Sequence, residues 1–160
     1  MAHLFSLIPV AVQNQQAVVE ILGCNEKTRR YGLTLSQADA RQLVETRSRA
    51  LISNGRVEFG GGIIDKLILK FRDSPYLFRQ NYVDTLDALI ETFYYFKNES
   101  LDELSDDALL DAMKTYFDHN CAGSVELLQN RELERLARNI RFGYSPFARE
   151  DEGEEGEDKA

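Results

Sequence analysis

The chain of 160 residues has no tryptophan, only two cysteines and no long uninterrupted apolar run. Cys24 and Cys121 do not predict a disulfide framework, and we expect reduced thiols in a cytoplasmic protein. A membrane-spanning helix needs about 20 consecutive apolar residues, and no stretch approaches that length. The first residues, MAHLFSLIPVAVQ, have no basic residue ahead of the apolar stretch, so we expect no signal peptide either.

Positive charge is also scarce, because 19 basic residues face 27 acidic ones and the net charge is −8. Seven of the acids lie within residues 149–160 against only Arg149 and Lys159, so this stretch carries −5 and the remaining body −3. A nearly balanced body has no long-range attraction for nucleic acid or an anionic membrane surface, and we expect neither as a partner. The composition of 149–160 predicts a disordered acidic tail.

Apolar residues recur at three- and four-residue steps through most of the chain, which predicts an all-α protein. We expect one helical domain over residues 1–148, folded as a single compact bundle of five to six helices. A short extended link is expected near 56–59, and the acidic tail follows at 149–160. The hydrophobic share of 43% and the charged share of 29% are typical of a soluble globular protein.

Capping signals place several helix ends. Thr34 or Ser36 caps the second predicted helix, and the Asn-Gly pair at 54–55 ends it. Ser105 caps the fifth predicted helix. The longest pattern covers 74–97, with Ser-Pro as the N-cap and first helical position and a possible break at Gln80-Asn81. In the last predicted helix the apolar residues before and after Asn130 fall on different faces, which predicts a bend near this residue.

Gly60, Gly61 and Gly62 precede the third predicted helix, and Lys66 lies about one turn inside it. A helix N-terminus with free amides suits an anion, but this spacing matches neither a phosphate-binding loop nor a dinucleotide fingerprint. Glycines at such a point also serve simply to let two backbones approach. Glu58 lies in the link before them. A half-buried carboxyl has a raised pKa, although a structural hydrogen bond to a helix end is the interpretation we favour.

Arg131, Arg135, Arg138 and Arg141 fall on one side of the last predicted helix. Forked guanidinium groups suit an acidic or phosphorylated partner, so this face is the candidate docking surface. The acidic tail is close enough to compete for it, and deleting 149–160 is then expected to strengthen binding. A solvated face is the commoner explanation for such a row of charges.

His119 and Cys121 form the one close histidine–cysteine pair, but a metal site needs further ligands that the sequence does not supply. The end of an apolar helix accounts for both, because histidine favours the helix dipole there and cysteine behaves as a small apolar residue. We therefore predict no catalytic residue, no metal and no cofactor.

Five stretches of the chain resemble a family of short uncharacterised proteins from clostridia and related Gram-positive bacteria, a domain of unknown function. They are GRVEFGGGIIDKLILKF (55–71), DSPYLFRQNY (73–82), ETFYYFKNES (91–100), LSDDALLDAMKTYFD (104–118) and CAGSVELLQ (121–129). The resemblance covers residues 30–140 and implies a bacterial cytoplasmic protein. It implies no reaction, cofactor or catalytic residue.

The best-supported hypothesis is a non-enzymatic helical protein-interaction module or accessory subunit. Its aromatic residues exceed what one core can hold, and surplus aromatics are enriched at interfaces. The residues in question are Tyr76, Phe78, Tyr82, Tyr95 and Phe96. The alternative is a small enzyme or ligand-binding protein with a pocket near Glu58, Gly60–Gly62 and Lys66. The oligomeric state and the identity of a partner do not follow from the sequence.

Overall fold

The computed structural model describes residues 10–58 and 62–149, with side chains from residue 14 onward. Within these ranges the protein is all-α, as predicted, with six helices of eight or more residues and no strand. They are α1 (Val10–Gly23), α2 (Gln37–Ser53), α3 (Gly62–Phe71), α4 (Tyr82–Glu99), α5 (Asp106–His119) and α6 (Glu134–Arg141). Shorter helical segments cover Asn25–Thr28, Arg29–Tyr31, Val125–Leu127 and Leu128–Leu133. None of these described helices combines the length and apolar character needed to cross a membrane.

The chain divides into two compact units, a first unit of residues 1–95 and a second unit of residues 96–160. The boundary falls within α4. The expectation of a single domain over 1–148 stays a prediction, and the acidic tail from residue 150 lies outside the described residues.

In the first unit α1 packs against α2 and α3, and α2 packs against α3. Each helix contributes apolar residues at three- and four-residue steps, and a buried Leu or Ile side chain contributes about 1.5–3 kcal/mol. The buried residues are Ala17, Val18 and Ile21 of α1, Ala40, Leu43, Val44 and Leu51 of α2, and Ile63, Ile64, Leu67, Ile68 and Phe71 of α3. The α2 and α3 faces are those that the sequence pattern predicts.

The ends of α2 show how local sequence sets a helix boundary. Ser36, rather than Thr34, is the N-cap: its side chain accepts the Asp39 N–H at 3.1 Å, and the Asp39 carboxylate accepts the Ser36 N–H at 2.9 Å. At the other end Gly55 has φ of +66°, and the Arg56 N–H bonds to the Leu51 carbonyl at 2.9 Å. This left-handed cap confirms the predicted helix end at 54–55.

The predicted start of the long helix at Ser74 is wrong, because α4 begins at Tyr82 and the preceding residues form turns. The Asn81 side chain accepts the Phe78 N–H at 2.9 Å and donates to the Tyr76 carbonyl at 3.0 Å. These side-chain bonds satisfy backbone groups that a helix would otherwise pair. The break suggested at 80–81 is therefore where the helix starts.

In the second unit, α5 begins at the predicted cap, Ser105, whose hydroxyl accepts the Ala108 N–H at 3.1 Å. The shift of the apolar stripe near Asn130 takes the form of a π-helix over Leu128–Leu133. Its wider turn accommodates one extra residue. Leu128, Leu133 and Leu136 are consequently all buried.

Candidate functional site

Glu58 is the centre of a cluster of polar groups inside the first unit. Its Oε1 accepts the backbone N–H of Ile63 at 2.8 Å and lies 3.5 Å from Nη1 of Arg47. Its Oε2 accepts the Tyr94 hydroxyl at 2.6 Å. Arg47 and Tyr94 are only 4% and 2% exposed. The carboxylate thus caps the N-terminus of α3 and links it to α2 and α4, the structural role that the sequence favours.

Gly62, the first residue of α3, explains part of the glycine run. Its φ is +48°, in the left-handed region that favours glycine. A Cβ at this position would lie 2.0 Å from Oε1 of Glu58, so the missing side chain makes room for the capping carboxylate. Lys66 is exposed on α3, and Gly60 and Gly61 lie outside the described residues. Among the residues predicted to line a ligand pocket, the structure therefore brings Glu58 and Gly62 together. They meet in a helix cap.

Asp65, in the first turn of α3, is the second carboxyl near Arg47. Burial raises the pKa of Asp65 to about 6, the charge of Glu20 adds to the rise, and Arg47 opposes it. Oδ1 of Asp65 and Nε of Arg47 are both buried, and neither has a hydrogen-bond partner among the described residues. Asp65 therefore changes charge close to neutral pH, in a setting where its carboxylate is poorly compensated.

Cys24 and Tyr82 extend this polar interior without adding a reactive group. Burial raises the pKa of the Cys24 thiol to about 11, and the charge of Asp65 contributes to the rise. Burial likewise raises the pKa of Tyr82 to about 12, the charge of Cys24 adds to the rise, and a hydrogen bond with Thr28 opposes it. A thiol with so high a pKa carries almost no thiolate at neutral pH, so Cys24 is a poor nucleophile.

His119 and Cys121 behave as the sequence suggests for a helix end. His119 is exposed in the last turn of α5, whereas Cys121 is 2% exposed. Burial raises the pKa of the Cys121 thiol, and the charge of Glu132 adds to the rise. Within the described ranges, no group of three or more His, Cys, Asp or Glu side chains is arranged to hold a metal ion.

Two of the four predicted docking arginines are held by Glu132. Nε of Arg131 lies 3.0 Å from one carboxylate oxygen of Glu132, and Arg135 pairs with the other. Glu132 is only 4% exposed, because the π-helix turns it inward. The sequence alone suggests only that Glu132 partly offsets the charge of the arginines around it. Its spacing from Leu128 and Leu136 along the buried stripe is the signal that could have placed it inside.

The other two arginines differ from each other. Arg141 lies 3.3 Å from Glu134 and 3.9 Å from Glu99, whereas Arg138 is exposed. The predicted face therefore contains three arginines that already pair with glutamates of the same unit. Its positive charge is concentrated towards the end of α6, around Arg138.

An exposed surface that residue spacing does not predict follows directly on α6. Phe142, Tyr144 and Phe147 are 67%, 66% and 53% exposed. We call residues 142–147 the aromatic segment. Four arginines and no acidic residue occur within 135–149, so the segment lies in a positively charged part of the chain.

The aromatic segment has a defined conformation because Asn139 of α6 holds it. The Tyr144 N–H bonds to the Asn139 carbonyl at 2.7 Å. The Asn139 side chain donates to the carbonyls of Pro146 at 3.2 Å and Ala148 at 2.9 Å. One amide thus fixes the path of the backbone on which the three aromatic side chains are displayed.

Of the five aromatic residues that the sequence assigns to a possible interface, some are buried and others are exposed. Tyr82 and Phe96 are buried and Tyr76 is half-buried, while Phe78 and Tyr95 are 52% and 49% exposed. The fold and these sites define an all-α protein whose buried charged groups mostly hold helices together.

The particular family follows from the comparison with family models. Residues 20–146 match the model of DUF6323, described as a family of unknown function, and the chain belongs to that family. No curated protein and no solved structure matches the chain.

Proposed function

We propose that the protein is a non-enzymatic interaction module of the bacterial cytoplasm, and that its aromatic segment binds an acidic segment of another protein. The observation that carries this proposal is the exposure of Phe142, Tyr144 and Phe147, each more than half accessible within six residues. Aromatic side chains supply most of the binding free energy at many interfaces, and tyrosine and arginine are common hot-spot residues.

The fixed backbone of the segment favours binding. Because Asn139 already holds the carbonyls of Pro146 and Ala148, little backbone entropy is lost when a partner docks. A flexible loop with the same sequence would bind more weakly, since it would have to be ordered first.

A hollow of about 310 Å³ beside Phe147 gives an apolar anchor of the partner a place to bind. It is formed in the second unit by Phe147 and one face of α5. Its lining consists of Ala108, Asp111, Ala112, Thr115, Tyr116 and Phe147. A single leucine or phenylalanine side chain is of suitable size for such a hollow, in keeping with a helix or strand that inserts one residue.

The basic residues around the segment favour an acidic partner. Arg138 and Arg149 are exposed and border the aromatic segment in sequence, and no acidic residue lies between them. Charge-assisted hydrogen bonds from guanidinium groups to carboxylates would orient the partner and speed its association. The acidic tail after residue 149 would compete for the same arginines, so its removal is expected to strengthen binding.

The proposal is tested by pull-down from the native cell with two matched double variants. Phe142→Ala with Phe147→Ala removes aromatic anchors from the segment. Ile52→Ala with Val57→Ala removes two apolar side chains of the first unit that are each 81% exposed. We expect one stoichiometric partner that the first variant loses, the second retains and high salt releases.

A further variant that lacks residues 150–160 but keeps Arg149 tests whether the acidic tail competes with the partner. Stronger capture of the same partner would support competition by the tail. A partner that both double variants retain, or that both lose, would overturn the role of the aromatic segment. The alternative ligand pocket near Glu58 and Lys66 stays a prediction, and the donors already bound to Glu58 weigh against it.

A further inference from the structure

A hollow of about 300 Å³ in the first unit is lined mainly by basic side chains, and we call it the basic hollow. Its lining consists of Glu26, Lys27, Arg30 and Arg72. The first three belong to the consecutive short helical segments at 25–31, and Arg72 directly follows α3. Folding therefore brings together cationic groups more than 40 positions apart in the chain, a convergence that sequence periodicity does not predict.

Side-chain hydrogen bonds hold the backbone of residues 25–35, which carries Lys27 and Arg30. The amide of Asn25 accepts the Leu35 N–H at 2.8 Å and donates to the Leu35 carbonyl at 2.9 Å. Thr28 is buried, and its hydroxyl donates to the Leu33 carbonyl at 2.5 Å. These bonds fix the 25–35 segment, so Lys27 and Arg30 project from a rigid turn.

Arg30 is itself oriented. One of its Nη atoms lies 2.9 Å from the Tyr31 hydroxyl, and its guanidinium carbon lies 4.9 Å from the centre of the Tyr31 ring. Stacking on an aromatic ring leaves the remaining N–H groups of an arginine free to bind an anion.

The lining of the basic hollow carries a net positive charge, because three cations face one carboxylate, that of Glu26. Glu26 lines the same hollow, yet it forms no ion pair with Lys27, Arg30 or Arg72 within the part of the chain that the structure describes. The cations in excess over this one carboxylate repel one another, and a bound anion would relieve this repulsion.

We propose that the basic hollow binds a small anion carrying two or more phosphate groups, of which inorganic pyrophosphate is the simplest form. Two guanidinium groups can each bind phosphate oxygens through two N–H groups, and Lys27 adds a point charge. The volume is at the lower end of the range for small-molecule sites.

A nucleic acid is a less suitable ligand for this site. Duplex binding engages many phosphates along an extended basic surface. The first unit as a whole has 11 basic and 10 acidic residues, so its positive charge is confined to a local cluster. This site is independent of the aromatic segment, which belongs to the second unit.

The test is calorimetric titration of the full chain with pyrophosphate at low salt. We expect Arg72→Gln and Lys27→Gln each to weaken binding about fivefold to tenfold, the range for loss of one charge-assisted contact. Glu26→Gln is expected to strengthen binding about twofold, because it removes a repelling charge from the hollow. Arg41→Gln, an exposed arginine of α2 outside the hollow, is the matched control and should leave the affinity unchanged.

Three results would overturn the proposal. They are the absence of binding by the unaltered chain, equal affinities for all four variants, and tighter binding of a short oligonucleotide that survives Arg72→Gln. Circular dichroism of each variant checks folding, and because all four positions are at least partly exposed we expect the helical signal to be retained.

Discussion

Each unit places a glutamate against arginine side chains, but the two glutamates are held in different ways. Glu58 of the first unit binds groups from three helices, including the hydroxyl of Tyr94, which lies 36 positions away. Glu132 of the second unit pairs with Arg131 and Arg135, which lie one and three positions away along the chain. The first carboxylate is therefore a tertiary link, and the second is a local one.

The difference predicts what each glutamate contributes to stability. A buried charge whose partner is removed cannot return to water without unfolding its surroundings, whereas a partly exposed one rehydrates. The Arg47 side chain is 5% exposed, while those of Arg131 and Arg135 are 49% and 21% exposed. Loss of Glu58 should consequently destabilise the protein more than loss of Glu132.

The largest effect is expected for Glu58→Gln. The variant removes the ion-pair partner of the buried Arg47 and weakens the cap of α3, and we expect the free energy of unfolding to fall by about 3 kcal/mol. Urea unfolding followed by circular dichroism measures it. Glu45→Gln, on the exposed face of α2, is the control and should change stability by less than about 0.5 kcal/mol. If the two variants are equally stable, Glu58 is not a tertiary link.

Gly62→Ala tests the same cap from the backbone side. The new Cβ would overlap Oε1 of Glu58, and the left-handed φ disfavours alanine, so we expect a loss of about 2 kcal/mol. The measurement is a double-mutant cycle with Glu58→Gln. Because both changes displace the same carboxylate, their effects should be less than additive. Strict additivity would show that the glycine and the glutamate act separately.

Glu132→Gln is expected to cost about 1 kcal/mol, since Arg131 and Arg135 can bind water instead. Burial raises the pKa of Cys121 and of Tyr116, and the negative charge of Glu132 is the second-largest cause of each rise. The same change removes that charge. Both pKa values should then fall towards their ordinary range, which thiol alkylation and tyrosine absorbance against pH can follow. A loss of stability larger than that of Glu58→Gln would reverse the comparison between the units.

An effect of similar size concerns Asp65 and depends on pH. Its folded pKa of about 6 exceeds the ordinary value of 3.8, so the folded state holds this proton more tightly than the unfolded state. The stability that Asp65 contributes is therefore present at low pH and is lost as the pH rises from about 4 to above 6. At 1.36 kcal/mol per unit the full shift corresponds to about 3 kcal/mol, which partial solvent exposure reduces to about 1 kcal/mol.

We accordingly expect Asp65→Asn to be more stable than the unaltered chain by about 1 kcal/mol near pH 8, with the advantage shrinking towards about pH 4.5. Urea unfolding at both pH values measures this difference. Asp84→Asn, an exposed carboxyl in the first turn of α4, is the control for a general effect of charge. An advantage of Asp65→Asn that stays constant with pH would mean that Asp65 does not titrate in this range.

The sequence predicts the helices well wherever local signals act alone. Ser36 and Ser105 are N-caps as expected, and the apolar faces of α2 and α3 follow from residue spacing. It fails at Ser74, where a Ser-Pro pair resembles a helix start. The hydrogen bonds of Asn81 to residues three and five positions earlier outweigh that signal.

The charged sites were harder to predict, although two signals were present. Arg47 follows Val44 by three positions and precedes Leu51 by four, and Glu132 stands midway between Leu128 and Leu136. A charged residue on an apolar stripe is a sign of burial with a partner. The partners themselves come from other segments, as Tyr94 does for Glu58, and no local pattern identifies them.

By itself the sequence determined the all-α class, the membership of an uncharacterised family and most helix ends, because spacing and caps act over a few residues. Only the tertiary structure decided that Glu58 joins three helices, that Arg72 lines the same hollow as Lys27 and Arg30, and that Asn139 fixes the aromatic segment. These relations depend on distances through space, and those distances exist only after the apolar faces have packed.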